Sequence, residues 1–201
     1  MIVKLKKLTE KNYEVFANEK FIGVLNIKTI NKLNIKDGLD YDVEYIKKIK
    51  LIAKLKEARK KAVSILKYKD YSEKELYIKL TKHYSKQISK YIVLHMKKKG
   101  YVDDLKYAKH LAKKIIFTKN KGANFVISTL IKKGINKNIA EKTVDSLNCD
   151  FIFEIEKLIL KKYKPDLQDI YSKKKLYTKL LRRGYRYSDI HLAINNILTE
   201  N

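Results

Sequence analysis

Three of the four arginines in this 201-residue chain lie within five positions of one another, at Arg182, Arg183 and Arg186. Of the 47 cationic residues, 43 are lysines, so this cluster indicates a local need for guanidinium groups. A guanidinium group can donate two parallel hydrogen bonds to a phosphate or a carboxylate, which an ammonium group cannot do. We therefore interpret the three arginines as candidates for binding DNA or a protein partner. The alternative is that they only cap a C-terminal helix.

A second group of candidates consists of four lysines in the middle of the chain: Lys119, Lys121, Lys132 and Lys133. The last two precede a glycine, as the paired arginines do near the C-terminus. If the two segments are copies of one unit, these cations share a binding face with the arginines. The alternative is a solvated cationic surface with no specific partner.

No residue pattern in the sequence indicates catalysis or a metal site. The four histidines have no metal-ligand spacing with one another or with the single cysteine, Cys149. Asp103 and Asp104 are interpreted as the N-cap of a helix rather than as metal ligands. The sequence also lacks a glycine-rich phosphate loop and paired catalytic carboxylates. We therefore expect a protein that is not an enzyme and that uses no cofactor or metal.

The charge balance favours a polyanionic partner. The chain has 47 Lys and Arg against 22 Asp and Glu, a formal net charge of +25. The excess is +4 in residues 1–50 and +21 in residues 51–201. Such a charge suits nucleic acid or a strongly acidic protein surface. Because no apolar run is long enough to span a bilayer and the first residues lack a secretory signal, we expect a cytoplasmic protein with no membrane partner.

The first 45 residues predict a small β-rich module. Apolar or alternating runs at residues 2–5, 13–16 and 21–27 have the length of strands, and polar connectors separate them. One short helix is expected at residues 28–33. From about Asp42 the spacing of apolar residues becomes helical.

An internal repeat with a period near fifty residues is the main architectural signal. Residues 76–80, 126–130 and 176–180 align, and the later two copies continue into two cations and a glycine. Such a period indicates a supersecondary unit that stacks on its neighbours. We predict a mainly α, elongated fold with about nine helices in three three-helix units, preceded by the β-rich module. The predicted boundaries are residues 1–45 for the module and residues 46–102, 103–149 and 150–201 for the units.

Capping residues mark the ends of the predicted helices. Ser72 and Glu75 have the spacing of a capping box before the middle helix of the first unit. Asn136 and Ser188 are predicted N-caps for the third helices of the later units. Three glycines that follow cations are predicted to end helices in the left-handed conformation: Gly100, Gly134 and Gly184.

With these residues laid out, the chain resembles the RecX family of bacterial recombinase regulators over roughly residues 55–200. The matching stretches are residues 70–76, 79–80, 100–104, 107–108, 122, 132–135 and 180–185. Each stretch alone is mostly helix-capping chemistry, so the resemblance is carried by their order and spacing across three units. The N-terminal module resembles an extension that some members carry.

The resemblance implies a regulator that binds RecA filaments on DNA and negatively modulates recombinase activity. Its implied partners are the RecA recombinase filament with single- and double-stranded DNA, and we expect it to be a monomer. The main alternative is a sequence-nonspecific DNA-binding protein, because three-helix units can place a helix in the major groove. A third possibility is a protein associated with RNA or the ribosome.

Overall fold

The computed structural model describes residues 1–199, which fold as two compact units. The first unit contains residues 1–69 and 77–98. The second contains residues 70–76 and the described residues from 99 onward. The mainly helical fold with a small N-terminal sheet, predicted from the sequence, is confirmed.

The first unit begins with an antiparallel sheet of three strands in the order β1-β2-β3. The strands are β1 (Val3–Lys7), β2 (Asn12–Ala17) and β3 (Lys20–Asn26), followed by a short helix α1 (Ile27–Lys32). The three predicted strands and the predicted short helix are therefore confirmed. A register irregularity lies between Val15 and Phe16, where β2 pairs with β3.

The long helix α2 (Val43–Leu66) covers one face of this sheet. Its N-cap is Asp42, whose carboxylate accepts a hydrogen bond from the Tyr45 amide at 2.6 Å. The buried residues Ile46, Ile49 and Ala53 pack into the same core as the inner side chains of the sheet. The change to helical spacing at about Asp42 therefore predicted the start of α2 correctly.

Two shorter helices follow, α3 (Glu73–Thr81) and α4 (Lys86–Lys98). The predicted capping box before α3 is formed: the Glu75 amide donates to Ser72 Oγ at 3.2 Å, and the Ser72 amide donates to Glu75 Oε2 at 3.4 Å. Only the first turn of α3 belongs to the second unit, and the rest of it belongs to the first.

The second unit contains two groups of three helices. The first group is α5 (Asp104–Lys113), α6 (Ala123–Lys132) and α7 (Lys137–Asp145). The second group is α8 (Phe151–Leu158), α9 (Ile170–Arg182) and α10 (Tyr187–Thr199). Each group has its own apolar core, built around residues such as Val126 and Leu130 in one and Leu176 and Leu180 in the other.

The first helix of each group runs directly into a π-helical turn, Lys114–Thr118 after α5 and Ile159–Tyr163 after α8. Neither turn was foreseen, because a π-turn has no distinct sequence signature among apolar and lysine residues. The predicted N-caps Asp103 and Asn136 are confirmed. The predicted cap at Ser188 is wrong, because α10 already begins at Tyr187 and the Ser188 hydroxyl donates to Asp189 instead.

None of the helices among residues 1–199 is long and apolar enough to cross a membrane.

Candidate nucleic-acid interface

Two turns with the pattern cation-cation-glycine connect the second and third helices of the two groups in the second unit. Gly134 follows α6 with φ +93°, and Gly184 follows α9 with φ +85°. Gly100, after α4, has φ +73°. The predicted left-handed helix stops are therefore confirmed at all three glycines, and the surroundings of the two turns determine what the neighbouring cations can do.

The Arg183–Gly184 turn lies directly on the start of α6. The Gly122 amide donates to the Arg183 carbonyl at 3.0 Å, and the Asn124 amide donates to the Gly184 carbonyl at 3.0 Å. Free amides at a helix N-terminus need such acceptors. A methyl group on Gly122 would collide with the backbone of Gly184 and Tyr185, so the close approach requires glycine at this position.

The Arg183 guanidinium is directed into the protein. Its Nε donates to the Asn120 carbonyl at 3.0 Å, and its Nη2 donates to the Lys119 carbonyl at 2.7 Å. The planar fork that suggested bidentate phosphate or carboxylate binding thus holds two neighbouring carbonyls of the loop before α6.

The Lys133–Gly134 turn makes an equivalent contact with the start of α3. Ser72 Oγ donates to the Lys133 carbonyl at 2.6 Å. Lys133 Nζ donates to Glu75 Oε1 at 2.6 Å, and the Tyr107 hydroxyl donates to Glu75 Oε2 at 2.8 Å. Burial raises the pKa of Glu75, but the hydrogen bonds from Lys133 and Tyr107 outweigh it, so the net pKa lies below the ordinary value of 4.5.

A cleft of about 620 Å³ lies beside α9, and its lining includes several of the predicted binding residues. Its lining contains six cations and no carboxylate: Lys121, Lys174, Lys175, Lys179, Arg182 and Arg183. Two tyrosines, Tyr163 and Tyr171, complete it together with Thr178. An array of cations beside aromatic rings is the chemistry that single-stranded nucleic acid requires, because phosphates meet the cations and bases stack on the rings.

Electrostatic crowding is visible within the cleft. Lys121 has a lowered pKa because of burial first and then the charges of Arg183 and Lys119. Lys179 Nζ lies 4.1 Å from the centre of the Tyr163 ring, within the range of a cation–π interaction. Tyr171 is 74% exposed, so its ring is free to stack on a ligand.

The seven predicted binding residues fall into three sets. Lys121, Arg182 and Arg183 line the cleft, while Lys133 is engaged with Glu75. Lys119, Lys132 and Arg186 are exposed and lie outside its lining. The binding roles of all seven residues stay predictions.

Sequence reasoning missed the cations on the exposed face of α9, namely Lys174, Lys175 and Lys179. The signal was available, because with Thr178 and Arg182 they recur at three- and four-residue intervals and so share one face of a helix. Tyr163 could not be foreseen, since it belongs to the π-turn after α8.

Among residues 1–199, neither the single cysteine nor a potential metal ligand lines this cleft. Burial, followed by the charges of Glu154 and Asp150, raises the pKa of the Cys149 thiol to about 11, so the reactive thiolate is disfavoured. Within residues 1–199 no group of three or more His, Cys, Asp or Glu is placed to hold a metal ion.

Comparison with known proteins finds relatives that carry the same name. No protein-family model matches the chain. The regulatory protein RecX of Clostridium acetobutylicum is 27% identical over 208 residues, which cover 99% of this chain and 96% of the relative. The regulatory protein RecX of Clostridioides difficile is 25% identical, covering 98% and 94% of the two chains.

Two solved structures have the same fold. A crystal structure of regulatory protein RecX matches with a TM-score of 0.77 and 18% identity, covering 96% of this chain and all of the other. The crystal structure of RecX from Lactobacillus salivarius matches with a TM-score of 0.62 and 23% identity, covering 71% and 95%. The relatives share one name and match over nearly the whole chain, so this chain is similar along its length to regulatory proteins named RecX.

Proposed function

We propose that this protein binds RecA recombinase filaments on DNA and negatively modulates filament growth, ATP hydrolysis and strand exchange. It acts in the cytoplasm as a monomer. The similarity to regulatory proteins named RecX supports the regulatory role, and the cleft beside α9 is the observation that carries the DNA-directed part. Six cations without a carboxylate form a surface that attracts phosphates, whether they belong to naked DNA or to DNA inside a filament.

The mechanism that fits this proposal is bridging of neighbouring filament subunits. A cationic helix face that follows the DNA backbone would hold the regulator in the filament groove, where it blocks addition of subunits or favours their loss. If it acts at filament ends, inhibition needs far less regulator than recombinase. If it coats the groove, inhibition needs nearly equal amounts.

The experiment follows RecA-catalysed ATP hydrolysis and strand exchange as purified protein is added. The test variant reverses three charges on the face of α9: Lys174→Glu, Lys179→Glu and Arg182→Glu. Its matched control reverses three exposed lysines on α5: Lys106→Glu, Lys109→Glu and Lys113→Glu. We expect the α9 variant to need roughly tenfold more protein for half-inhibition, since each lost phosphate contact weakens binding. Equal inhibition by the two variants would contradict the role of the cleft.

The second candidate function is a DNA-binding protein that ignores the recombinase. The exposed ring of Tyr171 beside the cations favours it, since aromatic platforms bind single strands without sequence preference. Such a protein binds naked DNA as tightly as RecA-coated DNA at the same salt concentration. Its affinity falls with a log–log salt slope of about −0.9 per phosphate contact.

A further inference from the structure

The two edges of the N-terminal sheet are treated differently by the rest of the first unit. The β1 edge is covered by the segment after α1: the Val3 amide donates to the Leu39 carbonyl at 2.9 Å, and the Gly38 amide donates to the Val3 carbonyl at 2.8 Å. No backbone hydrogen bond from another segment among residues 1–199 reaches the outer edge of β3. An uncovered strand edge is a template for pairing with another chain.

The register shows which groups of β3 point outward. The Leu8 amide donates to the Asn12 carbonyl at 2.9 Å, so the backbone groups of Asn12 face β1. Because alternate residues of an antiparallel strand face opposite neighbours, the backbone groups of Tyr13 face β3 and meet its partner Leu25. The amide and the carbonyl of Val24 therefore point away from the sheet.

A groove of about 740 Å³ lies between β3 and α2. On the strand side it presents apolar side chains, including Phe21 and Val24, and Phe21 is 53% exposed. On the helix side it presents five cations: Lys50, Lys54, Lys56, Arg59 and Lys60. The one carboxylate in the lining, Glu57, accepts a hydrogen bond from the Tyr84 hydroxyl at 3.1 Å.

Contacts between β3, α1 and α2 fix the walls of the groove. Lys56 Nζ donates to Asn26 Oδ1 at 2.8 Å and also to the Thr29 hydroxyl, and so fastens α2 beside the end of β3. Gly23, at φ +147°, lies so close to Ala53 that a methyl group there would collide with it. Strand and helix are thus held in fixed proximity, and a preformed site saves the cost of ordering on binding.

We propose that this groove binds an extended, acidic segment of a partner protein, which adds to the sheet as a fourth strand beside β3. The outward amide and carbonyl of Val24 pair with the partner's backbone, and the partner's carboxylates meet the cations of α2. A nucleic acid fits less well, because its phosphate backbone has no donor for the Val24 carbonyl. This interaction is separate from the cleft beside α9 and does not depend on the proposed function.

The probe is a short fluorescein-labelled peptide that alternates Glu with Val, titrated with the full chain at physiological ionic strength. Its control carries N-methyl groups at alternate amides, which removes backbone donors and keeps every side chain. We expect the parent peptide to bind and the N-methylated peptide to lose roughly tenfold or more in affinity, because main-chain hydrogen bonds supply much of the affinity in strand addition. Equal binding of both peptides, or no binding of either, overturns the proposal.

Paired variants locate the site. Lys54→Glu with Lys60→Glu reverses two exposed cations of the groove, and Lys61→Glu with Lys67→Glu reverses two exposed cations outside its lining. We expect the first pair to lose roughly tenfold more affinity than the second, since charges close to the ligand contribute most. Equal losses overturn the proposal.

Backbone pairing is tested at Val24. We expect amide exchange at Val24 to slow when the parent peptide is bound, and Val24→Pro to abolish binding because proline removes the outward donor. The exchange measurement on the wild type stands even if the proline variant fails to fold. Unchanged exchange at Val24 contradicts strand addition. Strand addition is also contradicted if a single-stranded oligonucleotide binds more tightly than the peptide and its binding depends on Lys54 and Lys60.

Discussion

The Lys133–Gly134 turn and the Arg183–Gly184 turn occupy the same place in successive three-helix groups but are held by different chemistry. Both place a left-handed glycine against the start of an earlier helix. Lys133 reaches a single carboxylate, that of Glu75, whereas Arg183 divides its guanidinium between two backbone carbonyls. The difference explains the choice of cation, since a point charge suffices for one carboxylate and two carbonyls need a planar fork.

The comparison also separates structural cations from those available to a ligand. Both turns contain two cations before the glycine, and in each the second cation is used inside the protein. The first cation, Lys132 or Arg182, remains exposed. A basic pair in a repeat therefore does not supply two binding residues.

The largest loss of stability is expected at the Arg183–Gly184 turn, where the backbone of the turn lies directly against the start of α6. Gly184→Ala forces a left-handed alanine and places its methyl group against Phe125, so we expect a loss of about 3 kcal/mol or more in the free energy of unfolding. Urea denaturation followed by circular dichroism measures this loss. Gly100→Ala is the matched control, since Gly100 has a similar φ and open space around it. That variant should lose only about 1 kcal/mol, and equal losses would contradict the close docking of the turn.

The second-largest loss of stability is expected when the Glu75 carboxylate at the Lys133–Gly134 turn is removed. Glu75→Gln leaves Lys133 and Tyr107 without an ionised acceptor, and the Glu75 side chain is only 18% exposed. We expect a loss of about 2 kcal/mol, between the values for surface and buried pairs. Glu141→Gln is the control, because the Lys137–Glu141 pair is exposed at 3.8 Å and contributes at most about 0.5 kcal/mol. If both variants unfold at the same urea concentration, Glu75 does not hold this turn.

A smaller effect distinguishes the two cations. Arg183→Lys keeps the charge but can serve only one of the two carbonyls well, so we expect a loss of about 1 kcal/mol. Lys133→Arg should be nearly neutral, because a guanidinium can still donate to the Glu75 carboxylate. Equal effects in urea denaturation would show that the fork of Arg183 is not needed.

The smallest effect is a difference in pH dependence. The pKa of Glu75 is depressed in the folded protein, so its contribution to stability is complete above the ordinary value of 4.5 and is lost as the pH falls through the lower folded value. The Arg183 contact involves no group that titrates in this range. Denaturation between about pH 3 and pH 6 should therefore show a shallower slope for Glu75→Gln than for Arg183→Lys. Parallel curves would contradict this assignment.

Local signals in the sequence predicted much of the fold. The alternating runs gave the three strands, and the capping residues Asp103 and Asn136 marked their helices correctly. The hydrogen bonds that Arg183 and Lys133 make within the protein could not be predicted. Their partners lie more than fifty residues away along the chain, and the contacts depend on how the repeats stack. The π-turns also escaped prediction, so the position of Tyr163 in the cleft was not foreseen.

The most direct test of the central claim is to compare binding of the wild type and the Lys174→Glu, Lys179→Glu, Arg182→Glu variant to RecA-coated and naked single-stranded DNA at matched salt concentrations. If the cations beside α9 hold the protein on the filament, the wild type prefers coated DNA and the variant loses roughly tenfold or more on it. Equal affinity of the wild type for coated and naked DNA, or an unchanged variant, would contradict the claim.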